Sequence, residues 1–251
     1  MKVVRTIADL DAGTGIVGLV PTMGALHAGH EALIAAARAE CDTVVVSIFV
    51  NSAQFDDAAD LAAYPGEEAR DRELAAAAGA DVVFAPFAAE IYPPGYQTWI
   101  EVEELSRGLE GEHRPGHFRG VATVCLKLFN IVRPRFAYFG QKDAQQVAVI
   151  RRLVSDLNLD LTVRSVATVR DTDGLALSSR NFLLSVEERT LALALPRALA
   201  TRDPDAARAM LDGIDVDYVE VADFDPPVLA AAVRVGPTRL IDNVVLTEEE
   251  L

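Results

Sequence analysis

The sequence predicts an α/β fold: a Rossmann-like, doubly wound parallel sheet followed by a smaller C-terminal α+β domain. Three observations predict it. From about residue 16 to residue 166, apolar strand-like runs alternate with helix-period stretches joined by short turns, the pattern of a parallel sheet with crossover helices. Thr43 to Val50 is a continuous valine-rich run, as expected of a strand buried on both faces. After about Thr168 the pattern changes to a loop rich in Asp, Gly and Ser, then helices, then successive strands. The expected domains are therefore 1–168 and 169–251.

Ile16 to Val20 reads as the first strand and the alanine-rich stretch to about Glu40 as the helix after it. Between them runs Val20-Pro21-Thr22-Met23-Gly24-Ala25-Leu26-His27-Ala28-Gly29-His30. A helix start leaves backbone N–H groups unpaired and carries positive partial charge, which attracts phosphate and disfavours a protonated imidazole. His27 and His30, three residues apart and so on one helical face, are then neutral hydrogen-bond donors for an anion. Gly29, with no Cβ, lets a planar ligand approach the backbone. Gly13 to Gly18 matches the dinucleotide fingerprint letter for letter but precedes a strand instead of following one, so it reads as a loop.

The valine-rich strand ends at Asn51-Ser52-Ala53-Gln54-Phe55, polar amides at a strand's carboxyl end, where open α/β sheets bind ligands. Glu67 to Ala78 predicts a helix capped by Gly79, and Asp81 to Ala85 a short strand. Pro86 to Gly116 is rich in proline and glycine and predicts a long irregular segment, with a short strand at Trp99 to Val102. A helix over Val121 to Val132 and a strand over Arg135 to Phe139 follow, with Gly140 as the turn. Val147, Ile150, Val154 and Leu157 keep the 3.6-residue period of another helix, and Leu161 to Val166 predicts a strand. Helices at Val186 to Ala200 and Asp205 to Leu211, with strands near Tyr218 to Val221, Ala230 to Val235 and Thr238 to Val245, make up the second domain.

A net charge of −15 over 251 residues argues against nucleic acid or an anionic membrane as partner. With no apolar run of about 18 residues and no apolar signal segment at Met1 to Asp11, a cytoplasmic protein is expected. Cys41 and Cys125 each sit beside apolar residues and predict buried free thiols.

Two further turns carry polar groups. Phe139-Gly140-Gln141-Lys142-Asp143-Ala144-Gln145-Gln146 places a lysine beside a helix start, either as a point charge for phosphate or as an ordinary exposed lysine with Asp143 as the cap. Asp171 to Asn181 includes Ser178, Ser179 and Arg180, suited to charge developing on a phosphoryl oxygen, although a Ser-Ser-Arg standing alone is more often a solvated cap. His27, His30, His113 and His117 also make two pairs that could bind zinc. A second reading of the imidazole turn is nucleotide transfer to a phosphorylated acceptor, which would require another basic cluster where the sequence has only scattered arginines.

The His-x-Gly-His signature resembles that of the nucleotidyltransferases related to class I aminoacyl-tRNA synthetases. The longer Pro-Thr-Met-Gly-Ala-Leu-His-x-Gly-His resembles the pantoate–β-alanine ligase family in particular. So do Phe49-Val50-Asn51, Ala63-Tyr64-Pro65, Leu109-Glu110-Gly111, Arg114-Pro115-Gly116-His117-Phe118, the Gly140 to Gln146 turn, Ser178-Ser179-Arg180-Asn181 and Thr238 to Asn243, in that order. The resemblance implies a two-step ligase: pantoate is adenylated by ATP, and β-alanine displaces AMP. It implies that His27 and His30, with Lys142, Ser178 and Arg180, contact the phosphates, and that Gln54 and Gln146 hold pantoate beside Met23. Asp143 would bind the ribose near Gly140, with Thr22, Val169 and Leu177 lining the nucleotide site and Asp71 holding Mg2+. Asn51, Tyr64, Glu110 and Arg114 would shape the site. A homodimer is also implied. Gln141, Leu177, Ser52 and Gly66 depart from the family's usual residues, and none of them removes a phosphate-contacting group.

Overall fold

The computed structural model describes residues 1–55, 61–62, 64 and 66–250. The chain divides into two compact units, one of Met1–Gly140 with Gln145–Val166, the other of Gln141–Ala144 with the chain from Ala167 onward.

The first unit is built on a parallel sheet. Its strands are β1 (Lys2–Val4), β2 (Val17–Thr22), β3 (Thr43–Ile48), β4 (Val82–Phe84), β5 (Phe136–Gly140) and β6 (Thr162–Val166), in the order β1-β4-β3-β2-β5-β6. Helices α1 (Ala28–Glu40), α2 (Glu68–Ala78), α5 (His117–Val132) and α6 (Ala144–Asp156) make the crossovers, and α3 (Ala88–Ile91) and α4 (Glu110–His113) are single turns in the long segment before α5. Alternation along the central strands explains the double winding. Leu19 and Val45 pack with Val121, Leu128 and Ile150 of α5 and α6, whereas Val20, Val44 and Val46 pack with Ile34, Ala37 and Ala75 of α1 and α2. Leu19, Val44, Val45 and Val46 are fully buried, each stabilising the fold by roughly 1.5–3 kcal/mol before chain entropy is counted.

The order of strands runs outward in opposite directions from β2 and β5, so the switch point lies between them. Their register pairs Gly18 with Phe136, and four residues further on they end at Thr22 and Gly140. Two of the turns singled out in the sequence therefore leave adjacent strand ends, where such sheets leave a crevice.

The second unit packs α7 (Val186–Ala192), α8 (Ala194–Leu199) and α9 (Pro204–Met210) on an antiparallel sheet, β7 (Asp215–Ala222), β8 (Val228–Val235) and β9 (Thr238–Val245). Leu195, Leu199 and Leu211 meet Val219, Leu229 and Val233 in its core.

Several elements differ from expectation. Trp99 to Val102 forms no strand; Ile100 instead donates its N–H to the Thr123 hydroxyl on α5 at 3.0 Å. The helix expected over Val186 to Ala200 breaks between α7 and α8, because Pro196 has no N–H for the Ala192 carbonyl and its ring crowds that group. Helix α5 starts four residues ahead of its expected start. Strand β1 went unrecognised, being three residues long. Gly79 caps α2 with φ +106° as expected. Cys41 and Cys125 are buried free thiols, burial pushing the Cys125 thiol up to about 12. Among the described residues no helix is long and apolar enough to cross a membrane.

Candidate active site

The imidazole turn joins β2 to α1. Thr22 is buried, its hydroxyl donating to the Ser47 carbonyl at 2.6 Å and accepting from the Gly24 N–H at 3.2 Å. Gly24 and Ala25 then take left-handed backbone, φ +89° and +51°, a conformation that costs a residue with a Cβ about 1–2 kcal/mol. His27 is the N-cap of α1 in extended backbone. Its Nδ1 accepts from the Gly29 N–H at 3.1 Å, and Nδ1 of His30 accepts from the His27 N–H at 3.3 Å. This is a capping box built from two histidines.

The cap fixes both tautomers. A ring nitrogen accepting a hydrogen bond carries no proton, so each neutral ring holds its hydrogen on Nε2. The two rings lie with centroids 4.2 Å apart, and both residues are half-buried. Gly29 serves this arrangement, because a Cβ there would come within 2.8 Å of Cε1 and 2.9 Å of Nδ1 of His27. The space expected to admit a planar ligand holds the His27 ring.

Asp71, expected to bind magnesium, sits in the first turn of α2 and is 2% exposed. Oδ2 accepts from the Ala25 N–H at 2.9 Å and Oδ1 from the Leu26 N–H at 2.7 Å. With both oxygens taken up by backbone donors, the residue does not fit a cation that keeps several waters. Tyr64 Oη donates to the Gly24 carbonyl at 3.5 Å; its neighbours Ala63 and Pro65 lie outside the described residues. The zinc alternative also fails: among the described residues no three or more His, Cys, Asp or Glu are grouped to hold a metal ion.

At the end of β3, Asn51 and Gln54 come together. Asn51 Nδ2 donates to Gln54 Oε1 at 3.0 Å and to the Gly120 carbonyl at 3.1 Å. Burial pushes the Tyr92 phenol up, and it donates to Asn51 Oδ1 at 2.8 Å. His117 Nδ1 lies 2.9 Å from the Gln54 carbonyl, and Nε2 lies 3.3 Å from Arg114 Nη1. Since a carbonyl only accepts, Nδ1 donates and Nε2 receives the guanidinium. Gly120 lets α5 press against the turn Ser52–Gln54: a Cβ there would overlap the Ala53 carbonyl. His117 and Gly120 were assigned no such role from sequence, although the Arg-Pro-Gly-His-Phe motif held the signal. Glu110 is buried, and its N–H donates to Gln145 Oε1 at 2.9 Å. Gln145 also donates to the carbonyls of Leu105 and Gly108, so it pins the long segment. Gln146 and Met23 are half-buried.

In the second unit, Gln141–Asp143 is a single 3-10 turn leading into α6. Lys142 Nζ lies 3.6 Å from Asp143 Oδ1, the lysine side chain 18% exposed and the aspartate 44%, so Lys142 is far from an ordinary solvated lysine. Asn243 on β9 donates from Nδ2 to the carbonyls of Gln141 and Lys142 at 2.9 and 2.8 Å. Beside it, Asp242 is 1% exposed at its side chain and pairs with Arg170 at 2.6 Å. The chain from Val169 to Leu177 folds back on itself, Leu177 donating its N–H to the Val169 carbonyl at 3.0 Å. Ser178 then caps the 3-10 turn Ser179–Leu183 by accepting from the Arg180 N–H at 3.2 Å. Asn243 was quoted in the sequence but given no task; nothing local marks a partner 101 residues away.

A histidine pair capping a helix at the switch point of a parallel sheet marks an α/β protein of the class that binds ligands at the carboxyl ends of its strands. Comparison with known proteins specifies which. The chain belongs to the pantoate-beta-alanine ligase family, whose model matches residues 1–245. It is 51% identical to the pantothenate synthetase of Heliobacterium modesticaldum, across 98% of this chain and 99% of that protein. It is 46% identical to that of Geobacter sulfurreducens, with both chains covered in full. Among solved structures, pantothenate synthetase from Thermus thermophilus superposes with a TM-score of 0.93 at 41% identity, covering 98% of this chain and 99% of that one. Pantoate-beta-alanine ligase from Francisella tularensis, complexed with beta-gamma ATP and beta-alanine, gives 0.86 at 36% identity, covering 98% and 97%. The fold class and the ligase activity expected from the sequence are thereby established.

Proposed function

We propose that this chain condenses pantoate with β-alanine through a pantoyl adenylate, with the two capped imidazoles acting on the phosphates of ATP. The observation that carries this reading is the reciprocal cap, which turns Nδ1 of both His27 and His30 to backbone N–H groups and so sets the proton of each neutral ring on Nε2. In the first step the pantoate carboxylate attacks the α-phosphorus in line, the bond to the bridging oxygen breaks, and pyrophosphate leaves with that electron pair. No protein nucleophile is required. The imidazole donors, the Lys142 ammonium and the Arg180 guanidinium meet the charge that grows on the phosphoryl oxygens, with Ser178 as a further donor. In the second step the β-alanine amine adds to the acyl carbon, AMP leaves, and the amide forms as the nitrogen loses its proton.

Gln54 and Gln146 hold pantoate beside Met23. Asn51 fixes the Gln54 amide, its bond to Oε1 leaving the Gln54 NH2 to donate to the carboxylate or hydroxyls. Asp143, half-exposed, accepts from the ribose hydroxyls near Gly140, and Thr22, Val169 and Leu177 line the nucleotide. Tyr64, Glu110 and Arg114 shape the site through their backbone and His117 contacts. The reading divides the chain as 1–168, which holds pantoate and most of ATP, and 169–251, which supplies Ser178 and Arg180. Magnesium, supplied with ATP, would offset the charge of the phosphates, with no residue of this chain assigned to hold it. The family resemblance supports a cytoplasmic homodimer, to be checked by light scattering of the purified protein.

The test is pyrophosphate release from Mg-ATP and pantoate, with and without β-alanine, followed by mass spectrometry. AMP and the pantothenate amide formed only with all three substrates support the reading. Release that His27→Ala and Lys142→Ala leave unchanged would overturn it.

A further inference from the structure

We infer that Asp71 is a positioning residue that latches the imidazole turn in its working shape. The inference rests on the reading that His27 acts on the phosphates of ATP. Successive backbone N–H groups in a tight turn can point to one side and form a concave seat for an anion. Gly24 and Ala25 are such a pair, with φ +89° and +51°, and the N–H groups of Ala25 and Leu26 point at Asp71 from 2.9 and 2.7 Å. The chain fills this seat with its own carboxylate, brought from α2 and 2% exposed.

The fit is close on both sides. A Cβ on Gly24 would lie 2.8 Å from Asp71 Oδ2, so a larger residue there would push the carboxylate out. Ala25 has a Cβ and holds the left-handed conformation against its own preference. One residue after Leu26 comes His27, whose extended backbone sets the cap. Releasing the carboxylate lets Ala25 return to right-handed backbone and carries the His27 ring off its phosphate-facing position. A displacement of about 1 Å costs on the order of 100-fold in rate.

The experiment is ATP–pyrophosphate exchange in the presence of pantoate, titrated with magnesium, for the full chain and for Asp71→Asn. The amide keeps the shape but turns an NH2 toward one of the two N–H donors. The expected result is a kcat lower by about 10- to 100-fold with the midpoint of magnesium activation unmoved. Adding Ala25→Gly should recover several-fold of the loss, since glycine adopts the left-handed turn freely. If high magnesium restored wild-type kcat to Asp71→Asn, the residue would be a metal ligand and the inference would fall. His27→Ala in the same assay separates the two readings. An unchanged rate there sinks the phosphate role of His27. A slow His27→Ala beside a fully active Asp71→Asn sinks the latch alone. Should Asp71→Asn fail to fold, the unaltered protein decides by nuclear magnetic resonance. Added Mn2+ should leave the Ala25 and Leu26 amide signals sharp and protected from exchange, and selective broadening of both would overturn the latch.

Discussion

Gly29 and His27 occupy one space: a Cβ on the glycine would come within 2.8 Å of the imidazole Cε1. The glycine of the His-x-Gly-His signature is thus a floor for the capping ring. Gly29→Ala forces the ring off its cap while improving the intrinsic helix propensity by about 0.5–1 kcal/mol. The expected outcome is a rate of pyrophosphate release lower by about 100-fold or more, with a melting temperature at or near that of the unaltered protein. Calorimetry and the release assay on the same preparation check it.

Asn243 holds the turn that carries Lys142 through two carbonyls. Asn243→Ala leaves both without their donor, a loss of about 1–3 kcal/mol. The KM for ATP should rise about tenfold or more while the KM for pantoate stays put. Asn243→Asp, which turns a carboxylate toward the same two carbonyls, should do worse, and steady-state kinetics in each substrate distinguishes the two effects.

Gly120→Ala drives a methyl group into the Ala53 carbonyl and separates α5 from the turn bearing Gln54. The expected effect is opposite in its selectivity: the KM for pantoate rises about tenfold or more and the KM for ATP changes little. Isothermal titration with each substrate alone checks the split.

Asp217 gives a pH prediction for the second unit. It lies between Arg239 at 2.5 Å and Arg234 at 3.2 Å, across β7, β8 and β9. Burial alone would raise its carboxyl, but the Arg239 hydrogen bond and the two guanidinium charges overcome that and hold it below the usual carboxylate range. A folded-state value below the unfolded one, about 3.9, means that the pair stabilises fully above that value. The stabilisation is lost as pH falls through the lower folded value. Asp217→Asn should cost about 2 kcal/mol at pH about 7, and the gap from the unaltered protein should narrow progressively below pH about 4. Thermal unfolding of both proteins over that range measures it.

The sheet was legible because its signals are local. Valine runs, the Gly79 cap and the 3.6-residue period of Val147 and Ile150 each depend on a few neighbours. The break at Pro196 was equally local but was overridden by the apolar pattern running through it. The residues proposed for the site could be singled out because His27, His30, Lys142, Ser178 and Arg180 each lie at a turn that the periodicity locates. What those turns are fastened to was not legible, and that changed two assignments. The family resemblance implied a cation at Asp71, and the missing Cβ of Gly29 read as an opening for a ligand.

The sequence by itself determined the alternation of strands and helices and the turns at which polar groups emerge, because periodicity, glycine and proline act over a few residues; the family is carried by the wording and order of its motifs. Only the tertiary structure decided the ring tautomer of His117, set by the Gln54 carbonyl, the seat of the Asp71 carboxylate 46 residues from Ala25, and the grip of Asn243 on Lys142. Those are matters of which side chain meets which backbone group. That depends on the order in which strands pair and on how closely helices approach, which no local stretch of sequence encodes.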